Sequence, residues 1–232
     1  DGRATASPKT NVAGKEVASM NELNSVANII ALTMGVGWAS GINLYAAIFM
    51  LGLMGATGSI VLPPDLLILT NPLVLLAAGA MYLVEFVTDK IPGVDTTWDA
   101  LHTFVRIPAG ALLAAGAVGD VNPGVALAAA IIGGGLAAGA HATKAGARAL
   151  INTSPEPVSN WSASVAEDLL VVAGLWTALH YPWLFIGLLA LFVLLMIWLL
   201  PKLWRGIKRV FAAIGQWLGP KPKLEGGKRV EP

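Results

Sequence analysis

From Ser25 to Pro64 the chain contains no Asp, Glu, Lys or Arg. About 20 consecutive apolar residues are enough to cross the hydrocarbon core of a bilayer, and this stretch is longer than that. It holds one predicted span, about 27–54, followed by a loop that ends in Pro63-Pro64. Leu66–Val84, Val121–Ala140 and Leu184–Leu200 are three further apolar runs. Only 12% of all residues are charged, against about 25% in average soluble domains. So few charges cannot solvate the surface of a soluble domain, so the solvent for most of this chain is lipid.

Two weaker segments, 98–119 and 161–181, begin polar and end apolar. Each is expected either to span fully or to re-enter, since polar or irregular backbone at membrane depth is tolerated only inside protein or along a cavity. Gly35, Gly37 and Gly41, around Trp38–Gly41, are expected to break the first span into two half-helices. Gly135 and Gly139 stand at GxxxG spacing, which lets helices approach closely. The fold class is therefore all-α: a polytopic membrane helix bundle of about six transmembrane or re-entrant helices. Asp95-Thr-Thr-Trp98 and Val158-Ser-Asn-Trp161 each precede an apolar run, which points to a repeated two-helix hairpin.

Charge placement suggests an orientation. With six spans, all of the 15 Lys and Arg residues except Arg106 fall in the two termini and in the loops near 88–97 and 143–160. By the positive-inside rule these are cytoplasmic, so both ends are expected on that side. Residues 1–24 are polar, lack the apolar core of a signal peptide, and are expected to be a disordered extension before a transmembrane domain at 25–200. Residues 201–218 put Leu203, Ile207 and Val210 on one face and Lys202, Arg205, Lys208 and Arg209 mostly off it. That reads as an amphipathic interfacial helix on anionic lipid headgroups, with a disordered tail at 219–232.

Ionisable residues inside the membrane cost about 2.5–3.5 kcal/mol each and are functional candidates by default. Glu85 and Asp89 are four residues apart on one helical face. Asp95, Asp99, His102 and Arg106 line a second face, and His141, Lys144 and Arg148 a third. Asn160, Ser164, Glu167 and Asp168 make the fourth. The ion- or substrate-binding candidates are Glu85, Asp89, Asp99, His102, Arg106, Lys144, Arg148, Glu167 and Asp168. None of these faces can meet lipid cheaply, so ion pairs across the hairpins are expected. Glu85 or Asp89 should meet Lys144 or Arg148, and Arg106 should stand opposite Glu167-Asp168. The bland alternative is that such pairs only fix packing register. With no cysteine and three scattered histidines, neither a metal centre nor a cofactor is expected.

Several separated motifs carry a family resemblance. They are Ala39-Ser-Gly41-Ile-Asn43-Leu-Tyr45, Glu85-Phe-Val-Thr-Asp89-Lys90-Ile-Pro92-Gly-Val-Asp95, Arg106-Ile-Pro108-Ala-Gly110, His141-Ala-Thr-Lys144-Ala-Gly-Ala-Arg148 and Ser164-Val-Ala-Glu167-Asp168. Over roughly residues 25–180 the chain resembles a bacterial family of integral membrane proteins defined as a domain of unknown function. The resemblance implies a compact helical domain in the bacterial cytoplasmic membrane and brings no activity with it. A thinner likeness is to cation/proton exchangers with a Glu-x-Gly-Asp-Lys motif. Here Glu85–Lys90 has one extra residue and no glycine, and the second half has no acidic copy.

The leading functional expectation is a small secondary transporter or permease for an ion or small charged solute. The alternative is a non-catalytic accessory subunit of a membrane complex, with a homo-oligomer or other membrane partners. No enzyme is expected. The only acid/base pair in view is Asp99 with His102, and there is no HExxH helix, Ser/His/Asp order or P-loop. The basic tail is explained by membrane electrostatics, so no nucleic-acid partner is expected.

Overall fold

A computed structural model describes residues 8–91, 93–153 and 157–218. The regular structure of the described residues is helical: α1 (Pro8–Ala56), a 3-10 helix (Pro64–Thr70), α2 (Pro72–Thr88), α3 (Val94–Ala117), α4 (Pro123–Ile151), α5 (Pro157–His180) and α6 (Pro182–Leu218). Five of these helices are long and apolar enough to cross a membrane. The 3-10 helix and α2, bent by 68° at their junction, supply a sixth crossing if taken together. The protein is thus a multi-pass membrane protein whose outer faces contact lipid. Leu and Trp side chains such as Leu73, Leu169, Leu194 and Trp198 stand exposed along α2, α5 and α6.

Local chemistry sets the helix starts. α2, α4, α5 and α6 all open on proline, whose missing N–H falls where a helix has no partner for it. Asn71 and Asn122 sit just before two of them, and their side chains accept from the Leu73 N–H at 2.9 Å and the Gly124 N–H at 2.8 Å. Gly119, with φ 69°, makes the turn between α3 and α4.

The main departure from expectation lies in α1. Its helical path breaks at Asn43 (φ −146°, ψ 96°), and not within Trp38–Gly41. The two halves, residues 8–42 and 44–56, fold back on each other. Contacts along the first half establish its direction. A Cβ on Gly37 would lie 2.7 Å from the Gly133 Cα, Gly41 packs on Ala137 and Ala140, and the Ile42 carbonyl reaches Lys144. This half is therefore parallel to α4. It is antiparallel to α5, with Gly35 on Ala178, Trp38 on Gly174 and Asn43 on Asp168. The second half is antiparallel to α2, with Phe49 on Gly79 and Leu75 on Gly52. It returns the chain to the starting end, where Asn28 and Leu32 share a pocket wall with Ile60 and Pro63.

This corrects several expectations. The first span is re-entrant, whereas 98–119 and 161–181 lie, but for their last one or two residues, in the uninterrupted helices α3 and α5. The run Leu66–Val84 is divided between the 3-10 helix and α2. Residues 8–24 are helical, not irregular. Residues 1–7 and the tail 219–232 lie outside the described residues. The helix runs through Pro201 without ending, so 201–218 is a continuation of α6 and not a separate element. Gly146 packs on Leu203, so α6 runs on past the C-terminal end of α4. The Trp183 indole N–H donates to the Asn24 side-chain oxygen at 3.0 Å. Asn24 thus sits at the end where α6 starts, opposite the end where α6 leaves. Residue 24 of α1 and the described end of α6 therefore lie toward opposite ends of the bundle, whereas the expected topology has them at the same end.

Glycine and alanine bring the core helices together. Gly110 on α3 would place a Cβ 2.7 Å from the Ala137 Cβ and 3.2 Å from the Ser40 Cβ, so α1, α3 and α4 meet almost backbone to backbone. The expected Gly135/Gly139 pair is not this contact: a Cβ at Gly135 would meet open space, and Gly139 faces Met196. α2 and α3 touch only sparingly, as do α4 and α5. The hairpins of the proposed repeat therefore have their connections at one end but pack on α1 and on each other. Trp38 fills the seam between α1, α5 and α6 through edge contacts with Phe185 (6.1 Å) and Phe192 (6.0 Å).

The re-entrant α1 makes a topological prediction. In this cysteine-free chain, exposed single cysteines at Glu22→Cys and Ser59→Cys should react with a membrane-impermeant maleimide from the same side. Thr153→Cys should react from the other. Labelling of Glu22→Cys and Thr153→Cys from one side would mean that α1 crosses only once.

Candidate functional site

The polar faces of α2, α3, α4 and α5 converge on the tip of the broken α1. Asn43 is where the chain reverses, and it satisfies both sides of the break. Its side-chain oxygen accepts from the Ala46 N–H at 2.9 Å, capping the second half-helix. Its amide donates to Asp168 Oδ1 at 2.9 Å. The Ile42 carbonyl at the end of the first half accepts from Lys144 Nζ at 3.1 Å. A cation on a helix C-terminus opposes the partial negative charge of the exposed carbonyls.

Lys144 is the hub. Its Nζ lies 2.8 Å from Asp89 Oδ2, 3.3 Å from Glu85 Oε1, 3.5 Å from Glu167 Oε2 and 3.7 Å from Asp99 Oδ1. One helical turn toward the C-terminal end of α4, Arg148 grips Glu167 through two parallel bonds, Nε–Oε1 at 3.1 Å and Nη2–Oε2 at 2.6 Å. It also donates to the Asp89 carbonyl at 2.7 Å and to the Asn160 side-chain oxygen. Two-point pairing uses the planar fork of arginine, which lysine lacks. Asp95 closes this end. It accepts from the Gly93 and Thr96 N–H groups at 2.8 and 2.6 Å, and Asn152 Nδ2 lies 2.8 Å from each of its oxygens.

Arg106, midway along α3, binds Glu85 at 2.6 Å and Asp99 at 2.9 Å. This corrects the expectation that it faces Glu167-Asp168; Arg148 fills that role toward Glu167. The physical reason is height along the bundle. Arg106 and Glu85 are level with the middle of α3, whereas Glu167 sits beside Arg148 on the neighbouring turn of α4. The expected pairing of Glu85 and Asp89 with Lys144 and Arg148 is present.

The two buried histidines have fixed roles. Thr103 Oγ1 donates to the Asp99 carbonyl at 3.1 Å, so it accepts from His141 Nε2–H at 2.7 Å. His141 Nδ1 then accepts from Arg106 at 3.1 Å. His102 donates from Nδ1 to the Trp98 carbonyl at 2.9 Å and accepts from the Tyr45 hydroxyl at 3.1 Å. Trp98 stacks on it at 4.1 Å. His102 is therefore tied to Tyr45, on the first turn after the break. It does not form the Asp99–His102 pair that an acid/base reading needs.

All nine candidate residues thus surround one point, with His102 at its edge. Arg106, Arg148, Glu85 and Asp95 have no solvent exposure at all. The network contains six carboxylates (Glu85, Asp89, Asp95, Asp99, Glu167 and Asp168) and four cations (Lys90, Arg106, Lys144 and Arg148). Glu85 Oε2, Asp89 Oδ1, Asp99 Oδ2 and Asp168 Oδ2 are buried without a hydrogen-bond partner. Among the described residues no group of three or more acidic or histidine side chains is placed to hold a metal ion.

A family model described as a domain of unknown function, DUF4126, matches residues 30–202. The chain belongs to the DUF4126 family. The match takes in the break in α1 and every charged residue of the network. For this DUF4126 chain, searches of curated proteins and of solved structures find no match.

Sequence reasoning passed over Asn43 and Asn152 as site residues. Asn43 did leave a signal, as a lone carboxamide deep inside an apolar stretch whose cost only a partner could offset. Asn152 left none, because it reads as an ordinary helix C-cap.

Removing one partner from a buried ion pair strands the other. Arg106→Met should destabilise the protein by about 3–5 kcal/mol, read by equilibrium unfolding in mixed micelles. Glu85→Gln/Arg106→Met should recover part of that loss. Additive effects of the two substitutions would mean that the pair is not coupled.

Proposed function

We propose that this protein is a small secondary transporter or permease for an ion or small charged solute. The observation that carries the reading is the break at Asn43, set inside a buried charged network. An uninterrupted helix would bury its own backbone groups. Here a half-helix C-terminus and a half-helix N-terminus are both presented to ionisable side chains, an arrangement that transporters use for ions and charged solutes. Glu167 keeps 16% of its side chain exposed, so the network is not fully enclosed beside Arg148. Toward the other end, the close glycine and alanine contacts of α1, α3 and α4 seal it. The described state is then a closed one, and transport requires the half-helices to part.

The membrane is proposed to be the bacterial cytoplasmic membrane with the network end inside. Lys202, Arg205, Lys208 and Arg209 gather at that end, where anionic headgroups would hold them. A second reading, a non-catalytic accessory subunit, is favoured by one specific observation. Arg106 and Glu85 are paired with no exposure, as a register-fixing pair would be.

The two readings separate in proteoliposomes containing the purified full chain and tested against a panel of inorganic ions and small carboxylates and phosphates. The transport reading expects flux above empty liposomes for at least one solute. It also expects flux roughly tenfold slower in Asn43→Ala, which loses a buried, positioned hydrogen-bond pair. No flux for any solute would overturn transport and leave the accessory role.

A further inference from the structure

Asp168 differs from every other carboxylate of the network. Glu85, Asp89, Asp95, Asp99 and Glu167 each have a cation within 4 Å, Asp95 the most distant at 3.8 Å from Arg148. Among the described residues Asp168 has no such partner. Lys90, a cation that acts on it from α2, is engaged elsewhere: its Nζ donates to the Phe86 carbonyl at 2.9 Å and to Ser164 Oγ at 3.4 Å, and lies 2.9 Å from the Phe86 ring centroid. Asp168 stands midway along α5, far from either helix end. A carboxylate at that depth with no cation is the most costly charge in the network.

The excess of carboxylates over cations requires compensating positive charge, and the described residues form no metal cage. A proton needs no cage. Asp168 Oδ1 is held by Asn43, while Oδ2 is buried with no close hydrogen bond and with the Tyr82 hydroxyl beside the carboxylate. The residue as a whole is half-buried, so it is not fully enclosed by the bundle. The other groups facing it are Tyr82, Asp89 and Lys90 from α2 and Lys144 from α4.

We propose that Asp168 is a proton-binding site, and that Asn43 transmits its charge state to the break in α1. The step is a simple transfer. An O–H bond of a water-borne proton donor breaks, an Oδ2–H bond forms, and the carboxylate becomes neutral. The Asn43 amide cannot flip to follow, because its oxygen is held by the Ala46 N–H. Its N–H therefore always points at Asp168. A hydrogen bond to an ionised acceptor is roughly twice as strong as one to a neutral acceptor, so proton uptake loosens the tip of the broken helix. The proton's role as coupling ion rests on the transport reading above, but its binding can be measured without transport.

The test is infrared difference spectroscopy of the full chain in nanodiscs, between alkaline and acidic buffer. A carboxylic C=O band should appear on acidification, vanish in Asp168→Asn and return at a changed frequency in Asp168→Glu. Asp168→Asn keeps the shape and the acceptor for Asn43, and thermal unfolding of both variants checks the fold. A difference spectrum unchanged in Asp168→Asn would overturn the site. A band that behaves as expected in a protein with no flux would uphold the site and end the transport reading. Flux in wild type that ignores an imposed pH gradient would overturn the coupling.

Discussion

Lys144 holds together elements that would otherwise have no reason to meet. In hydrocarbon a backbone carbonyl cannot fall back on water, so a helix can break only where protein satisfies the freed groups. The Ile42 carbonyl is satisfied by Lys144 at 3.1 Å, and the same ammonium holds Asp89 at 2.8 Å. The break in α1 and the charge on α4 are thus a single requirement. The lysine needs several acceptors because it is buried, and the helix end needs a donor because it is interrupted. The closeness of α1, α3 and α4 follows. The glycine and alanine seam at Gly37, Gly41, Gly133 and Ala137 brings α1 and α4 together, which sets the Lys144 ammonium directly at the tip of α1.

Membrane insertion, the helical class and the gathering of the charged residues could all be read from the chain because each follows from one-dimensional facts. An uncharged run is visible as such, and charges four residues apart on one face must share a neighbour. What could not be read was height. Arg106 and Arg148 are both arginines within polar stripes, and the spacing alone does not say which turn of α2 or α5 each one meets. The pairing of Arg106 with Glu85 and of Arg148 with Glu167 is set by how far the helices slide past each other. That slide is fixed between α3 and α4 by Gly110 on Ala137, and for α2 and α5 through α1, by Gly79 on Phe49 and Gly174 on Trp38, contacts of glycines too common in this chain to be singled out.

The position of the break was hidden for a related reason. Three glycines drew attention to Trp38–Gly41, but glycine in a membrane helix also serves close packing, and Gly37 and Gly41 both do so here. The chain turns two residues later, at a side chain able to cap the new helix and to donate to a carboxylate at once. The same ambiguity hid the fold-back of α1. Counting the first apolar stretch as one crossing puts residue 24 and the far end of α6 together. Folding it back on itself separates them.

The contacts at Asn43 also have an order in time. The residues that complete the tip of α1 lie far along the chain: Lys144 is 102 positions later and Asp168 is 125. During synthesis the broken helix reaches the membrane before any of its partners exist. Until α4 and α5 arrive, its open carbonyl and carboxamide can be satisfied only by water or by the insertion machinery. The broken helix is therefore among the last segments of this domain to reach its final place, because its tip is completed only once α5 has entered.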